Sequence, residues 1–410
     1  MKLFPFILIV ILHSFLVSCG VSPDKGKKEQ NFVKGTYGYD LQFLQKYLKP
    51  IELKDEFAAV LIAPQYQGRV MTSTSSGLNG FSYGWINHDL IASGKVKTHI
   101  NAYGGEERFW LGPEGGQFSL FFAPGVPFDI EHWQTPPSLD TEEFDVVSVK
   151  SREAVFNKKI KLTNYAGFIF DLEVTRKVTL LKNSEVAIGL NQELPNGVRV
   201  VAFETDNRIK NRSTTAWKPE TGALSIWLLG MMNPSPEVTI VLPYKKGDFG
   251  TIVKDDYFGK VPEERLIIAD NVIFFKADGK LRSKIGLSPK RALPVIGSYD
   301  AANKILTIVE TTIDPTAAEY VNSSWKIQKD PFAGDVINSY NDGPMADGSQ
   351  MGPFYELESS SKAAFLKPGE SLGHIQRTFH FGGDEKALSE ISVKKLGVTI
   401  DQIKKVFQPK

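Results

Sequence analysis

The chain opens on an almost unbroken apolar run, Leu3 to Val17, turns polar, and then settles into short apolar stretches separated by polar ones. Apolar and polar residues alternate most clearly from Phe168 to Leu181, the period of a half-buried strand. Further strands are predicted over Ala58–Ala63, Arg69–Ser73, Phe118–Phe122, Glu185–Leu190, Arg199–Phe203 and Leu224–Leu229. The series continues through Val238–Leu242, Val272–Phe275, Ile305–Glu310 and Ile375–His380. Gly and Pro fall between these segments as turn punctuation. Helices are predicted only over Asp40–Lys49 and as two short amphipathic pieces within Lys386–Phe407. So many strands without an intervening linker predict an all-β chain, two large antiparallel sheets face to face with few short helices.

The opening run, preceded by Lys2, is long enough for a signal-peptide core and short for a spanning helix. It ends in Leu16-Val17-Ser18-Cys19-Gly20, which resembles the lipobox of bacterial lipoproteins. The resemblance implies a signal peptide over residues 1–18 and a lipid on the Cys19 thiol. It also implies a membrane partner reached through that lipid, and export to the cell envelope, with the outer membrane expected and the facing side open. Cys19 is the only cysteine of 410 residues, so the exported chain relies on its core and not on disulfides. Residues 19–34 are polar, with Gly, Pro and Lys, and read as a flexible tether. One domain is then expected over residues 35–385, followed by a short helical segment over 386–410.

Charge narrows the partners. With 48 basic and 47 acidic side chains the formal net charge is +1, and no basic run is present, so nucleic acid is not an expected partner. The chain has no Gly-rich phosphate loop, zinc motif or Gly-x-Ser-x-Gly elbow.

The candidate chemistry suits a sugar, which is held by aromatic faces and planar polar groups. Arg108, Trp110, Trp133, Trp217 and Trp325 lie at strand ends or in loops, where binding residues concentrate. Glu106, Glu107 and Arg108 adjoin Gly104-Gly105, a turn permitting close backbone approach. Glu356 and Glu358 point to one face of a strand, about 7 Å apart, where each tends to raise the other's pKa if buried. The loop before them offers Asn338, Asn341 and Asp342 to hydroxyls, or, with Asp347, to a Ca²⁺ ion. Asx turns explain that loop equally well, and no other cofactor is expected.

Two stretches resemble the galactose mutarotase-like (aldose 1-epimerase-like) superfamily. Asn101-Ala-Tyr-Gly-Gly-Glu-Glu-Arg-Phe-Trp-Leu-Gly-Pro-Glu-Gly-Gly116 is similar to a segment of uncharacterised bacterial proteins of that kind. Gly352-Pro-Phe-Tyr-Glu-Leu-Glu-Ser-Ser-Ser361, then Leu366-Lys-Pro-Gly-Glu370 and Arg377-Thr-Phe-His-Phe381, resemble the end of the epimerases. The resemblance implies a large β-supersandwich with a sugar cleft. In the epimerases a Glu removes the anomeric proton while a His protonates the ring oxygen, which places Glu358, or Glu356 beside it, as base. The epimerases' His strand corresponds here to Phe203-Glu-Thr-Asp-Asn-Arg208, which has no His and leaves Asn207 as a hydroxyl ligand. His99, His132 and His380 are the candidate replacements, with His132 placed as catalytic and His380 as sugar-binding. The reading is a carbohydrate-binding envelope protein, with a sugar-modifying enzyme (epimerase, glycoside hydrolase or lyase) as the alternative.

Overall fold

The computed structural model describes residues 1, 31–345 and 347–408, so the apolar run, Cys19 and most of the tether lie outside the described residues. The compact unit runs Phe32–Lys410. Its described strands form three sheets in which all pairings are antiparallel. A three-stranded sheet joins Ile51–Asp55, Ala58–Ala63 and Arg69–Thr74. A ten-stranded sheet runs in the order Leu266–Ile268, Val272–Lys276, Val238–Pro243, Val295–Asp300, Ile305–Thr311, Ser371–Gly382, Arg199–Asn211, Ile169–Leu180, Glu153–Thr163, Asp145–Lys150. A five-stranded sheet runs in the order Ser283–Leu287, Ile337–Asn341, Tyr355–Ser360, Ser225–Met232, Arg108–Gly112.

Side-chain alternation decides what each sheet covers. Along Ile169–Leu180 every second residue is buried, so one face looks into the core. Ser225–Met232, near the middle of the five-stranded sheet, is buried along its whole length. The two larger sheets meet through Ile285, Leu287, Ile337 and Leu357 on one side and Ile240, Phe275, Ile296 and Val309 on the other. Each such side chain stabilises the fold by roughly 1.5–3 kcal/mol on leaving water. Tyr355 and Ser298 add a hydroxyl contact of 2.9 Å across the same interface.

The C-terminal residues are part of this unit. Asp384 caps the helix Glu385–Leu396 by accepting from the Lys386 and Ala387 amides, and Gly397, left-handed at φ 76°, ends it. Leu388, Ile391 and Leu396, with Ile400 and Ile403 of the helix Ile400–Lys405, pack on Phe274, Tyr299, Leu306 and Phe381 of the ten-stranded sheet. The first helix spans Tyr37–Tyr47, two to three residues earlier than its pattern predicts.

Two expected strands are not strands. Glu185–Leu190 lies in the helix Asn183–Leu190. A short apolar run does not fix its own period, and here Glu185 accepts from the Lys182 amide at 2.6 Å to start a helical turn. Phe118–Phe122 is irregular, because its amides bond within the surrounding loop, Leu120 to the Pro113 carbonyl and Phe121 to the Ser119 hydroxyl, while the rings of Phe121 and Phe122 stay buried.

Candidate functional site

One face of the five-stranded sheet floors a cavity of about 560 Å³. Strand register puts its side chains in rows: Arg108 opposite Leu229 and Leu229 opposite Glu358, then Met231 opposite Glu356, Glu356 opposite Tyr340 and Tyr340 opposite Lys284. Because alternate residues share a face, Arg108 and Trp110, Trp227 and Met231, Glu356, Tyr340 and Lys284 all meet here. Loops close the sides with His99, Glu114, Trp133, Phe258, Trp325, Phe354 and Asp342.

The floor holds a graded set of charges. Lys284 donates to Glu358 at 2.9 Å and lies 4.9 Å from the Trp227 ring centre. Trp227 Nε1 donates to the same Glu358 oxygen at 2.9 Å. Glu358 is fully buried beneath the cavity, whereas Glu356 reaches its wall. Arg108 donates to Glu356 at 3.1 Å and stacks 3.9 Å from the Trp110 ring centre, while its Nε and Nη1 are buried without a partner. Burial raises the Glu356 carboxyl from its ordinary 4.5 to about 8, against the pull of Arg108 and with the help of the Glu358 charge. Burial likewise raises Asp342, which accepts from Tyr340 at 2.6 Å and from the Gly352 amide at 3.0 Å. Glu114 is raised by burial too, and is held by Trp325. The aromatic wall is continuous: Trp133 stacks on Phe121 and Trp325, with centroids 5.9 Å away in both cases.

The structure brings Arg108, Trp110, Trp133, Asp342 and Glu356 together around this cavity, with Glu358 directly beneath. His99 also lines it, its Nδ1 2.7 Å from the Trp133 carbonyl. Other expected residues lie elsewhere. Glu107, Asn207 and His380 belong to a polar network between the sheets. There Glu107 pairs with Arg176 at 2.9 Å, Arg176 donates to Asn207 at 2.6 Å, and His380 bonds Glu106 at 3.0 Å. Adjacent residues on a strand point to opposite faces, which separates Glu107 from Arg108. The Gly104-Gly105 turn serves close packing of the chain on itself, since a Cβ at Gly104 would lie 2.1 Å from the Trp85 carbonyl. Trp217 is buried edge-on against Phe170. His132 pairs with Asp129 at 2.6 Å on a half-exposed turn. Asn341 is occupied by the Gly279 amide and the Leu281 carbonyl, Asn338 by Tyr257 and the Ile285 carbonyl, and Asp347 by Ser349.

Sequence reasoning missed Lys284, Arg282, Trp227, Glu114 and Phe258. Trp227 reads as core within an apolar strand, and the strand holding Lys284 joins the sheet only through pairing with residues fifty or more positions away.

The chain belongs to a family of unknown function (DUF6786), whose model matches residues 35–407. A search of curated proteins finds no match. Among solved structures the chain is similar to the Slr1438 protein of Synechocystis sp. PCC 6803, at 12% identity over 82% of this chain and 96% of that one, with a TM-score of 0.48. It is similar to a galactose mutarotase-like protein from Lactobacillus casei, at 9% identity over 81% and 100%, with a TM-score of 0.47. A galactose mutarotase related enzyme from Lactobacillus acidophilus is similar at 10% identity over 82% and 97%, with a TM-score of 0.44. Galactose mutarotase-like structures are thus among those this chain resembles, as the motifs at 101–116 and 352–381 imply.

Proposed function

We propose that this member of the DUF6786 family is an exported, lipid-anchored protein that binds a carbohydrate in the cavity on its five-stranded sheet. The observation that carries the sugar reading is the composition of that cavity. Indole faces of Trp110, Trp133, Trp227 and Trp325 stand beside Arg108, Glu114, Lys284, Asp342 and Glu356 in a space of about 560 Å³. A pyranose needs that combination, apolar faces for its C–H patches and ionised or amphiprotic groups for its hydroxyls, in a volume of ligand size. The lipid reading rests on the Leu16–Gly20 motif.

Four indoles at the cavity make ligand entry visible. Titration of the purified protein with a panel of monosaccharides and envelope oligosaccharides should change its tryptophan emission saturably for at least one sugar, with a rise in melting temperature for the same sugar. No response in either signal across the panel would remove the carbohydrate reading. For the anchor, Cys19→Ser should move the protein from the membrane to the soluble fraction, and unchanged membrane association would count against lipidation.

A second reading, a sugar-modifying enzyme, is favoured by the Glu356 carboxyl, which sits in a cavity wall with its proton held toward neutral pH. Glu358 is a poorer base, because Lys284 and Trp227 occupy one of its oxygens and it has no exposed surface.

A further inference from the structure

The cations lining this cavity outnumber the ion pairs they make: Arg108 pairs with Glu356 and Lys284 with Glu358, while Arg282 and Lys97 pair with no carboxylate among the described residues. Arg282 lies with its guanidinium 3.8 Å from the Phe258 ring centre. Its Nε donates to the Tyr340 hydroxyl at 3.3 Å, and neither terminal amino group has a partner among the described residues. Those two nitrogens are also absent from the buried unpartnered groups, so the fork is open to a ligand. Lys97 lines the same cavity, and no carboxylate pairs with it among the described residues. Arg108 has a single bond to a carboxylate, with two further nitrogens unpartnered. Asp342, meanwhile, is held by neutral donors, Tyr340 and the Gly352 amide, whereas Glu114 feels the charge of Lys284, is bonded by Trp325 and feels Arg282 as well. Lys284, at the cavity floor, is paired with Glu358 beneath it.

Taking the carbohydrate reading as its basis, we infer that the ligand is an acidic saccharide, whose carboxylate or sulfate is received by the open fork of Arg282. A guanidinium already flattened on an aromatic ring presents two parallel N–H groups that match two oxygens of such an anion, and it does so with little loss of side-chain freedom. Lys97 and Arg108 add positive potential from elsewhere on the cavity lining. Burial raises Glu356 to about 8, which reduces the negative charge an entering anion would meet, and it moves Glu114 and Asp342 in the same direction.

The experiment compares matched ligands on the full-length protein by calorimetry or tryptophan emission: glucuronate and galacturonate, glucose 6-sulfate, and neutral glucose and galactose. The expected result is an affinity ratio of acidic over neutral form of about tenfold or more, from charge-assisted bonds to the fork. That ratio should fall toward one in Arg282→Gln, and stay intermediate in Arg282→Lys, which keeps the charge and loses the fork. Raising the salt concentration should erode the ratio in the unaltered protein, a measurement that needs no variant to fold. The uronate and sulfate arms show which anion the fork prefers. A ratio near one in the unaltered protein, or one that survives Arg282→Gln, would overturn the acidic-ligand inference and leave sugar binding standing. Failure of every sugar to bind would overturn both.

Discussion

Glu356 and Ser359 lie three residues apart on one strand, and the regions they enter treat polar groups in opposite ways. On the cavity face, Glu356 accepts from one nitrogen of Arg108 and lines the cavity wall. On the inner face, Ser359 bonds His374 at 2.8 Å and Gln376 at 2.7 Å, and Gln376 donates onward to Glu107 at 2.9 Å. Glu107 reaches Arg176, whose Nε donates to the Gly68 carbonyl at 2.9 Å. The inner network links its groups to one another and ties the ten-stranded sheet to the five-stranded one, with single atoms such as Arg176 Nη2 and Glu106 Oε1 left without a hydrogen bond. The cavity face leaves the forks of Arg282 and Arg108 only partly used. A polar residue under a sheet is therefore a fastening or a binding group according to which way its strand alternation turns it.

The sharpest way to break that comparison is to remove one partner from the closed region. Arg176 and Glu107 have no exposed side-chain surface, so Arg176→Met leaves a carboxylate buried without its counter-ion. A loss of about 3–5 kcal/mol in urea unfolding is expected. Replacing both, as Arg176→Met with Glu107→Leu, should recover a good part of it, because no buried charge is then left alone. Arg108→Met is expected to do less damage, since Glu356 is already held toward protonation and can take up a proton in place of the lost partner. Equal losses for Arg176→Met and Arg108→Met would mean that the two faces do not differ in this respect.

Much of the architecture is legible from alternation alone. The period-two pattern of Phe168–Leu181 and the two short amphipathic pieces within Lys386–Phe407 both correspond to elements in place. Periodicity fails where a run is short, as at Glu185–Leu190, or where aromatic residues are buried by loops, as at Phe118–Phe122. For the site, the Glu356/Glu358 spacing places both carboxylates on one face, and the same rule brings Arg108 and Trp110 to that cavity face together. What alternation cannot supply is which face looks into a cavity and which into a second sheet. Glu106, Glu107, Asn207 and His380 are polar, near Gly turns or strand ends, and chemically suited to sugars, yet sheet stacking encloses them. Lys284 and Arg282 carry no local signal at all. Their place depends on a strand order, Ser283–Leu287 beside Ile337–Asn341, that only long-range pairing defines.

A smaller effect, and a finer test of the contrast, is the pH dependence of stability. Glu356 is raised from 4.5 to about 8, so the folded chain holds this proton more firmly than the unfolded chain does. Its contribution is then fully present below about 4.5 and is lost as pH rises through about 8. His374, in the inner network, is pushed the other way by burial, from 6.5 down to about 3. Its contribution is present above 6.5 and is lost as pH falls toward 3. The cavity face should thus set part of the alkaline limb of the melting-temperature curve, and the inner network part of the acid limb. Glu356→Gln keeps the side-chain shape without the charge. It should flatten the alkaline limb, raising the melting temperature above that of the unaltered protein by a few degrees at alkaline pH, and leave the acid limb in place. The same variant tests the enzyme reading, because it should abolish any sugar turnover while a pure binding protein would have none to lose. An alkaline limb unchanged by Glu356→Gln would mean that this carboxyl is ionised in the folded chain at neutral pH. In that case the Arg108–Glu356 contact would be a closed ion pair like that of Arg176 with Glu107, and the difference between the two faces would reduce to the fork of Arg282.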